Sequence, residues 1–247
     1  MPSSTPLIVI PARMGSTRLP GKPLADIHGA PMIVHVWRRA IEAETGPVVV
    51  ACAEREIADA VQRAGGTAVL TRADHPAGSD RVHEAATQID PRGQHDVIVN
   101  LQGDLPTLDP AALRAALAPL VDPAVEIATL AAPMREAWER DSTAAVKIAV
   151  SFAPGERIGR ALYFSRSLIP SGEGPHYHHI GLYAFRRAAL ERFVALPPSP
   201  LELREKLEQL RALEAGMRID VALVDAVPMG VDTPDDLERA SAILAKP

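Results

Sequence analysis

The 247-residue chain predicts an α/β fold with a mainly parallel sheet covered by helices in three layers. Two observations lead there. Short, strongly apolar and β-branched runs (Leu7–Ile10, Val48–Cys52, Ala68–Leu70, Val97–Leu101) alternate with stretches whose apolar residues fall at helical spacing (Pro31–Glu44, Arg55–Ala64, Ser79–Gln88). No internal repeat, linker or low-complexity tract breaks this alternation, so residues 1–247 read as a single domain. A chain of this size buries roughly 70–75% of its unfolded surface and needs no disulfide or structural metal to hold a core.

Each element has a local reason. Leu7–Ile10 is apolar throughout, as a strand covered on both faces must be, and Pro11 ends it by removing a ladder donor. Pro31 suits the first turn of a helix. Ile57, Ala58, Val61 and Ala64 share one face of the second helix, and Ser79 is a candidate N-cap for the third. Farther on, Ile127–Ala132 and Val146–Val150 read as strands around a polar, helix-like stretch at Arg135–Arg140. Residues 153–178 read as loop-rich, with Gly155, Gly159, Pro170, Gly172, Gly174 and Pro175, and His179–Phe185 returns as a strand. The stretch 133–186 is expected to form an arm inserted in the domain. The last quarter predicts helices at Ala188–Val194, Glu202–Ala215 (stopped by Gly216) and Pro234–Ala245, with a strand at Ile219–Val224.

Composition narrows the function. Hydrophobic residues make up 47% and charged residues 23%, ordinary for a globular protein. A formal net charge of −5 argues against a general nucleic-acid binder, which needs a basic face. The single cysteine, Cys52, cannot make an internal disulfide and reads as a core thiol in a reducing compartment. No apolar run approaches the ~20 residues of a membrane span, and the N-terminal residues lack a signal-peptide pattern. The expectation is a cytoplasmic protein with no membrane insertion.

The segment after the first predicted strand, Pro11 to Leu24, gathers Arg13, Arg18 and Lys22 with Gly15, Ser16, Thr17 and Gly21. Ligands of open α/β sheets bind outside the carboxyl ends of strands. A loop of cations and free backbone N–H groups there suits a polyphosphate, because guanidinium forks phosphate oxygens and lysine supplies a point charge. The spacing matches neither GxxxxGK[ST] nor GxGxxG, which disfavours a hydride-transfer enzyme. Asp104 and Asp232 each admit two readings, a turn or cap residue or a hard oxygen ligand for Mg²⁺. Gly78-Ser79-Asp80-Arg81 opens a helix whose free N–H groups can face an anion or a base edge. Arg166 can fork a carboxylate. The run His176-Tyr177-His178-His179 lacks the further spaced ligands that zinc requires, and no residue has the setting of a covalent nucleophile.

Arg13-Met14-Gly15-Ser16-Thr17-Arg18-Leu19-Pro20-Gly21-Lys22 resembles the opening signature of the sugar-nucleotide cytidylyltransferases, and within them the 3-deoxy-manno-octulosonate (Kdo) cytidylyltransferases of Gram-negative bacteria. Thr71-Arg72-Ala73-Asp74-His75, Gly78-Ser79-Asp80-Arg81, Val99-Asn100-Leu101-Gln102-Gly103-Asp104, Ala161-Leu162-Tyr163-Phe164-Ser165-Arg166, Ser199-Pro200-Leu201-Glu202, Leu207-Glu208-Gln209-Leu210-Arg211 and Gly230-Val231-Asp232-Thr233-Pro234 follow in the family's order across nearly the whole chain. The resemblance implies the Rossmann-like, three-layer fold of the nucleotide-diphospho-sugar transferases. It implies transfer of CMP from CTP to Kdo, giving CMP-Kdo and pyrophosphate for lipopolysaccharide biosynthesis. The same likeness assigns Arg13, Lys22 and Asp104 to catalysis, and Ala12, Arg13, Lys22, Ser79 and Arg81 to the nucleotide. Gln102, Arg166, His179, Tyr183, Glu208 and Gln209 go to the sugar, and Asp104 and Asp232 to Mg²⁺. It also implies a homodimer whose contact, with part of the sugar site, lies on the arm.

Three positions depart from the family pattern: Leu105 stands where Glu is usual, Ala53 where Asp is usual, and His178 where Arg is usual. They raise two rivals, a cytidylyltransferase for another acid sugar (amino-substituted Kdo or a sialic acid) and a catalytically silent nucleotide-binding relative. A glycosyltransferase of related fold would bind metal through a DxD triplet, which Asp104-Leu105-Pro106 does not supply.

Overall fold

The computed structural model describes residues 5–245, which divide into two compact units, 5–113 with 228–245 and 114–227. The first begins with β1 (Leu7–Ala12), a small hairpin β2 (Asp26–Ile27) and β3 (Ala30–Pro31), and helix α1 (Met32–Glu42). Then come β4 (Val48–Cys52), α2 (Arg55–Arg63), β5 (Thr67–Leu70), α3 (Gly78–Ile89) and β6 (Val97–Asn100). The strands lie in the order β5–β4–β1–β6 and are all parallel. Parallel strands are covered on both faces, which is why Leu7–Ile10 and Val48–Cys52 are buried along their whole length.

The order places the site. The chain steps from β1 outward to β4 and β5, then returns across β1 to β6. Because such crossovers are right-handed, the reversal carries α3 to the opposite face from α1 and α2. The carboxyl ends of β1 and β6 flank the point of reversal, where α/β sheets bind ligands.

Helix α4 (Pro110–Leu117) was not expected, although Asp109-Pro110 carries its start signal: Asp109 Oδ1 accepts the Ala111 N–H at 2.8 Å and proline occupies the first turn. The second unit contains β7 (Ile127–Pro133), α5 (Ala137–Asp141), β8 (Lys147–Phe152), β9 (Ile158–Ser165) and β10 (Tyr177–Arg186). Helices α6 (Arg187–Ala195), α7 (Pro200–Glu205) and α8 (Gln209–Glu214) and strand β11 (Ile219–Leu223) complete it. Its strands run β10–β7–β11–β9–β8, and β8 pairs again with the start of β10 at Tyr177 and His178, so the circuit closes. Helix α9 (Pro234–Leu244) belongs to the first unit, where Ile27, Met32, Val231 and Ala240 form a small core.

Three expectations are corrected. Residues 153–178 are loop-rich, with 153–157 and 166–176 outside any strand or helix, but they also hold the unexpected eight-residue β9. The single helix expected at Glu202–Ala215 is two helices, separated where Lys206 adopts a left-handed conformation (φ 57°, ψ 44°). Ser79 is not an N-cap: Ala77, in extended conformation, takes that place, and Ser79 sits inside the first turn with 2% of its surface exposed. Among the described residues, no helix is long and apolar enough to cross a membrane.

Candidate active site

The loop that leaves β1 is shaped by its own backbone. Ser16 N–H donates to the Met14 carbonyl at 2.8 Å, Leu19 N–H to Ser16 Oγ at 3.3 Å, and Lys22 N–H to the Leu19 carbonyl at 3.1 Å. Gly21 supplies the left-handed residue (φ 69°) that starts a single 3₁₀ turn at Lys22–Leu24. Met14 N–H reaches outside the loop to Glu54 Oε1 at 3.1 Å. Glu54 follows the carboxyl end of β4, so this bond ties the loop to the neighbouring strand.

A cleft of about 390 Å³ opens above these strand ends, lined by Arg13, Arg18, Lys22, Arg81, Gln102 and Asp104 among others. Lys22 Nζ donates to Asp104 Oδ2 and to Asp232 Oδ1, each at 3.0 Å, and its side chain is only 16% exposed. Burial alone would lower the Lys22 pKa, but the charges of Asp104 and Asp232 and the hydrogen bonds to them prevail and hold it above the usual lysine value. Arg18 pairs with the other Asp232 oxygen at 3.0 Å in a more exposed position. Gly103, just before Asp104, lies against β1: a Cβ there would stand 2.7 Å from the Pro11 carbonyl oxygen. Asp104 in turn accepts Val231 N–H at its backbone carbonyl, at 2.9 Å, which draws the Asp232 segment to the same place.

The two readings of Asp232 are separated by its neighbours. Thr233, not Asp232, caps α9: its hydroxyl accepts Asp236 N–H, and the Asp236 carboxylate accepts Thr233 N–H. The Asp232 carboxylate is left for Lys22 and Arg18. Two carboxylate oxygens converging on one ammonium form a hard, anionic pair, the donor chemistry that suits Mg²⁺ when substrate phosphates complete its shell.

Arg81, 3% exposed, is fixed by bonds from Nη1 to Thr71 Oγ1 (2.5 Å) and the Arg72 carbonyl (3.1 Å). Burial lowers its pKa, the Glu54 carboxylate opposes that shift, and Arg13 adds to it. Arg13 is exposed, and among the described residues no acceptor holds its guanidinium. Ala12 is buried at the end of β1, and Gln102 Nε2 donates to Asn100 Oδ1 at 3.3 Å, which orients the amide. The first unit thus gathers Ala12, Arg13, Lys22, Arg81, Gln102 and Asp104 on one cleft, with Asp232 bound to Lys22 and Ser79 on the adjoining turn.

The remaining candidates lie in the second unit. His179 contacts Phe164 (ring centroids 4.9 Å apart) and Tyr183 (5.5 Å). Burial raises the Tyr183 pKa, and the charge of Glu208 adds to the rise. Gln209 is 7% exposed at the start of α8. Arg166 is heavily engaged: Nε donates to the Glu205 carbonyl (2.9 Å), Nη1 to Thr143 (2.8 Å) and Nη2 to Lys206 (3.3 Å). Two of its five N–H groups remain for a ligand carboxylate.

Sequence reading missed Glu54, Thr129 and Lys147. Glu54 could have been found from its place one residue after Ala53 at a strand's carboxyl end. Lys147 is fully buried, its ammonium bonded to the carbonyls of Ser142 and Arg166. Of the departing positions, Leu105 is buried (8% exposed) and His178 donates from Nδ1–H to the Glu139 carboxylate at 2.9 Å.

Parallel strand ends, a switch point and a cleft of cations and paired carboxylates define a nucleotidyltransferase, and the family model described as cytidylyltransferase matches residues 7–219. A protein of Paramagnetospirillum magneticum named 3-deoxy-manno-octulosonate cytidylyltransferase is 65% identical over 99% of this chain and 99% of its own length. One of Parvibaculum lavamentivorans with the same name is 67% identical over 98% and 93%. A solved CMP:2-keto-3-deoxy-manno-octonic acid synthetase complexed with CTP superposes with a TM-score of 0.90 at 41% identity, covering 98% of this chain and 99% of that one. The chain belongs to the 3-deoxy-manno-octulosonate cytidylyltransferase family.

Proposed function

We infer that this chain transfers the CMP group of CTP to the anomeric hydroxyl of 3-deoxy-manno-octulosonate, giving CMP-Kdo and pyrophosphate. The observation that carries the reading is Lys22 bridging Asp104 and Asp232 in a basic cleft at the carboxyl ends of β1 and β6. The anomeric hydroxyl gives up its proton to solvent as its oxygen attacks the α-phosphorus, the new O–P bond forms as the bond from Pα to the bridging oxygen breaks, and pyrophosphate departs with the electron pair. The protein's work is positioning and charge stabilisation. Arg13 and Lys22 hold the triphosphate oxygens and take up the charge that develops on the leaving group. The buried Arg81 and the first turn of α3, with Ser79, bound the nucleoside side of the cleft. Asp104 and Asp232 would hold Mg²⁺, which supplies further charge neutralisation and acidifies the attacking hydroxyl. In the second unit, His179, Tyr183, Glu208 and Gln209 offer hydrogen bonds to a polyol, and the free N–H groups of Arg166 suit its carboxylate.

The finer reading follows the family resemblance: a cytoplasmic homodimer whose product feeds lipopolysaccharide assembly. Pyrophosphate release measured with Mg²⁺, Kdo and each of the four nucleoside triphosphates in turn tests the reaction. Turnover with CTP and Kdo establishes it, and preference for another acid sugar revises the acceptor. Release that survives Asp104→Ala and Asp232→Ala together sinks the metal assignment, and sedimentation of the purified protein tests the dimer.

A further inference from the structure

Strand β10 carries a bulge between Ile180 and Tyr183, opposite Thr129 on β7. A bulge leaves carbonyls out of the ladder, and buried carbonyls need a donor. Thr129 is fully buried, with Oγ1 3.1 Å from the Ile180 carbonyl oxygen and 2.9 Å from that of Leu182. The same hydroxyl lies 3.0 Å from His179 Nε2. A hydroxyl has one proton. Were that proton aimed at His179, its oxygen lone pairs would face two carbonyl oxygens at about hydrogen-bond distance with nothing between them, a repulsive arrangement in a buried site. The proton therefore goes to the bulge carbonyls, and the hydroxyl accepts from the His179 Nε2–H.

That assignment fixes the imidazole. A neutral ring protonated at Nε2 carries its lone pair on Nδ1. Burial, and after it the neighbouring His178, pushes the His179 pKa down to about 3, so the ring is neutral at working pH. The backbone bond from His179 N–H to the Val146 carbonyl (2.8 Å) and the edge of Phe164 hold it in place. Among the described residues, no hydrogen bond occupies Nδ1.

We propose that Thr129 is a positioning residue which locks His179 as the Nε2–H tautomer, so that Nδ1 is presented as a hydrogen-bond acceptor for a hydroxyl of the sugar acid. The locking stands on the bulge geometry and the burial of the ring; the hydroxyl partner rests on the function proposed above.

The test uses the full chain labelled with ¹⁵N-histidine, with the His179 ring assigned by its loss in His179→Gln. Wild type and Thr129→Ser, which keeps the hydroxyl, are expected to show a protonated Nε2 and an unprotonated Nδ1 between about pH 5 and 8. Thr129→Val, which keeps the shape and removes the acceptor, is expected to show both tautomers. A wild-type ring protonated at Nδ1, or a Thr129→Val ring unchanged from wild type, overturns the proposal. If Thr129→Val fails to fold, the wild-type and Thr129→Ser spectra still decide it. In kinetics, Thr129→Val is expected to raise the KM for Kdo about tenfold, one hydrogen bond's worth. The KM for CTP should stay within about twofold, and Thr129→Ser should restore the Kdo value. A tautomer that changes without any change in the Kdo KM overturns the hydroxyl contact while leaving the locking intact, which separates failure of the subsite reading from failure of the positioning.

Discussion

Replacing Lys22 with Met tests the centre of the cleft, because it removes one cation and nothing of comparable length. Lys22 Nζ makes two hydrogen bonds of 3.0 Å to carboxylates, and the lysine side chain is 16% exposed. Bonds to charged groups contribute roughly 1.5–3 kcal/mol each when well buried. The carboxylates here are 32% and 44% exposed, which places each bond at or below the bottom of that range, and removing the ammonium also recovers its desolvation cost. The expected loss of stability is therefore about 1–2 kcal/mol, or roughly 2–8 °C in melting temperature for a chain of this size. The pKa shift is upward, so this contribution is complete below about pH 10.5 and disappears only at more alkaline pH; assays near neutrality see all of it. Turnover should suffer more. A cation aimed at developing phosphate charge is worth about 10²–10³ in rate. Pyrophosphate release, followed alongside thermal melting of the same preparation, separates the two effects. A Lys22→Met enzyme that melts early but retains kcat/KM within about threefold would make Lys22 a strut between two carboxylates, and the polyphosphate reading would fail.

Other outcomes follow from the same geometry. Glu54→Ala frees the Met14 N–H and should raise the KM for CTP about tenfold, whereas Glu54→Gln keeps an acceptor and should restore most of the affinity; equal kinetics for the two variants would remove Glu54 from the loop's support. Gly103→Ala forces a Cβ to within 2.7 Å of the Pro11 carbonyl, so β1 and the Gln102–Asp104 turn must part, costing about 1–3 kcal/mol together with activity. Unchanged melting and turnover would contradict that contact. His179, neutral in the fold with a pKa of about 3, opposes folding once the unfolded chain can protonate. Stability should be unaffected above about pH 6.5 and fall below it at up to about 1.4 kcal/mol per pH unit, a slope missing from His179→Gln. Urea unfolding of both proteins at several pH values checks this, and parallel profiles would refute it.

How far the fold could be read in advance depends on burial. Strands β1, β4 and β6 of the parallel sheet are covered on both faces, so their apolar runs are unbroken and their positions in the sequence are plain. Strand β9 escaped because it alternates buried Gly159 and Ala161 with exposed Arg160 and Leu162 and begins among glycines that read as loop. The break in the helix at Lys206 has no proline or glycine to announce it; a lysine in the left-handed conformation is set by its surroundings. The candidate site divides along the same line. The cations of the first loop were legible because charge clustered at a strand end is a local pattern. Glu54, Thr129 and Lys147 act through partners 40, 50 and 5 or 19 residues away, at Met14, at His179, and at Ser142 and Arg166. No local pattern encodes those contacts.

Asp232 shows why the functional reading of a residue depends on what its neighbours do. An aspartate before Thr-Pro at the start of a helix is a natural cap. Here Thr233 and Asp236 cap α9 between them, and the pair also accepts the Asp232 N–H at Asp236 Oδ2. The helix thus needs nothing from the Asp232 side chain, while its backbone fixes where that side chain begins. The bond from Val231 N–H to the Asp104 carbonyl then sets the two aspartates side by side, although 128 residues separate them in sequence. Placing two carboxylates together is unfavourable unless a cation lies between them, and Lys22 supplies it. The lysine thus balances the charge of the two carboxylates, and the arrangement is fixed by the caps and turns around it.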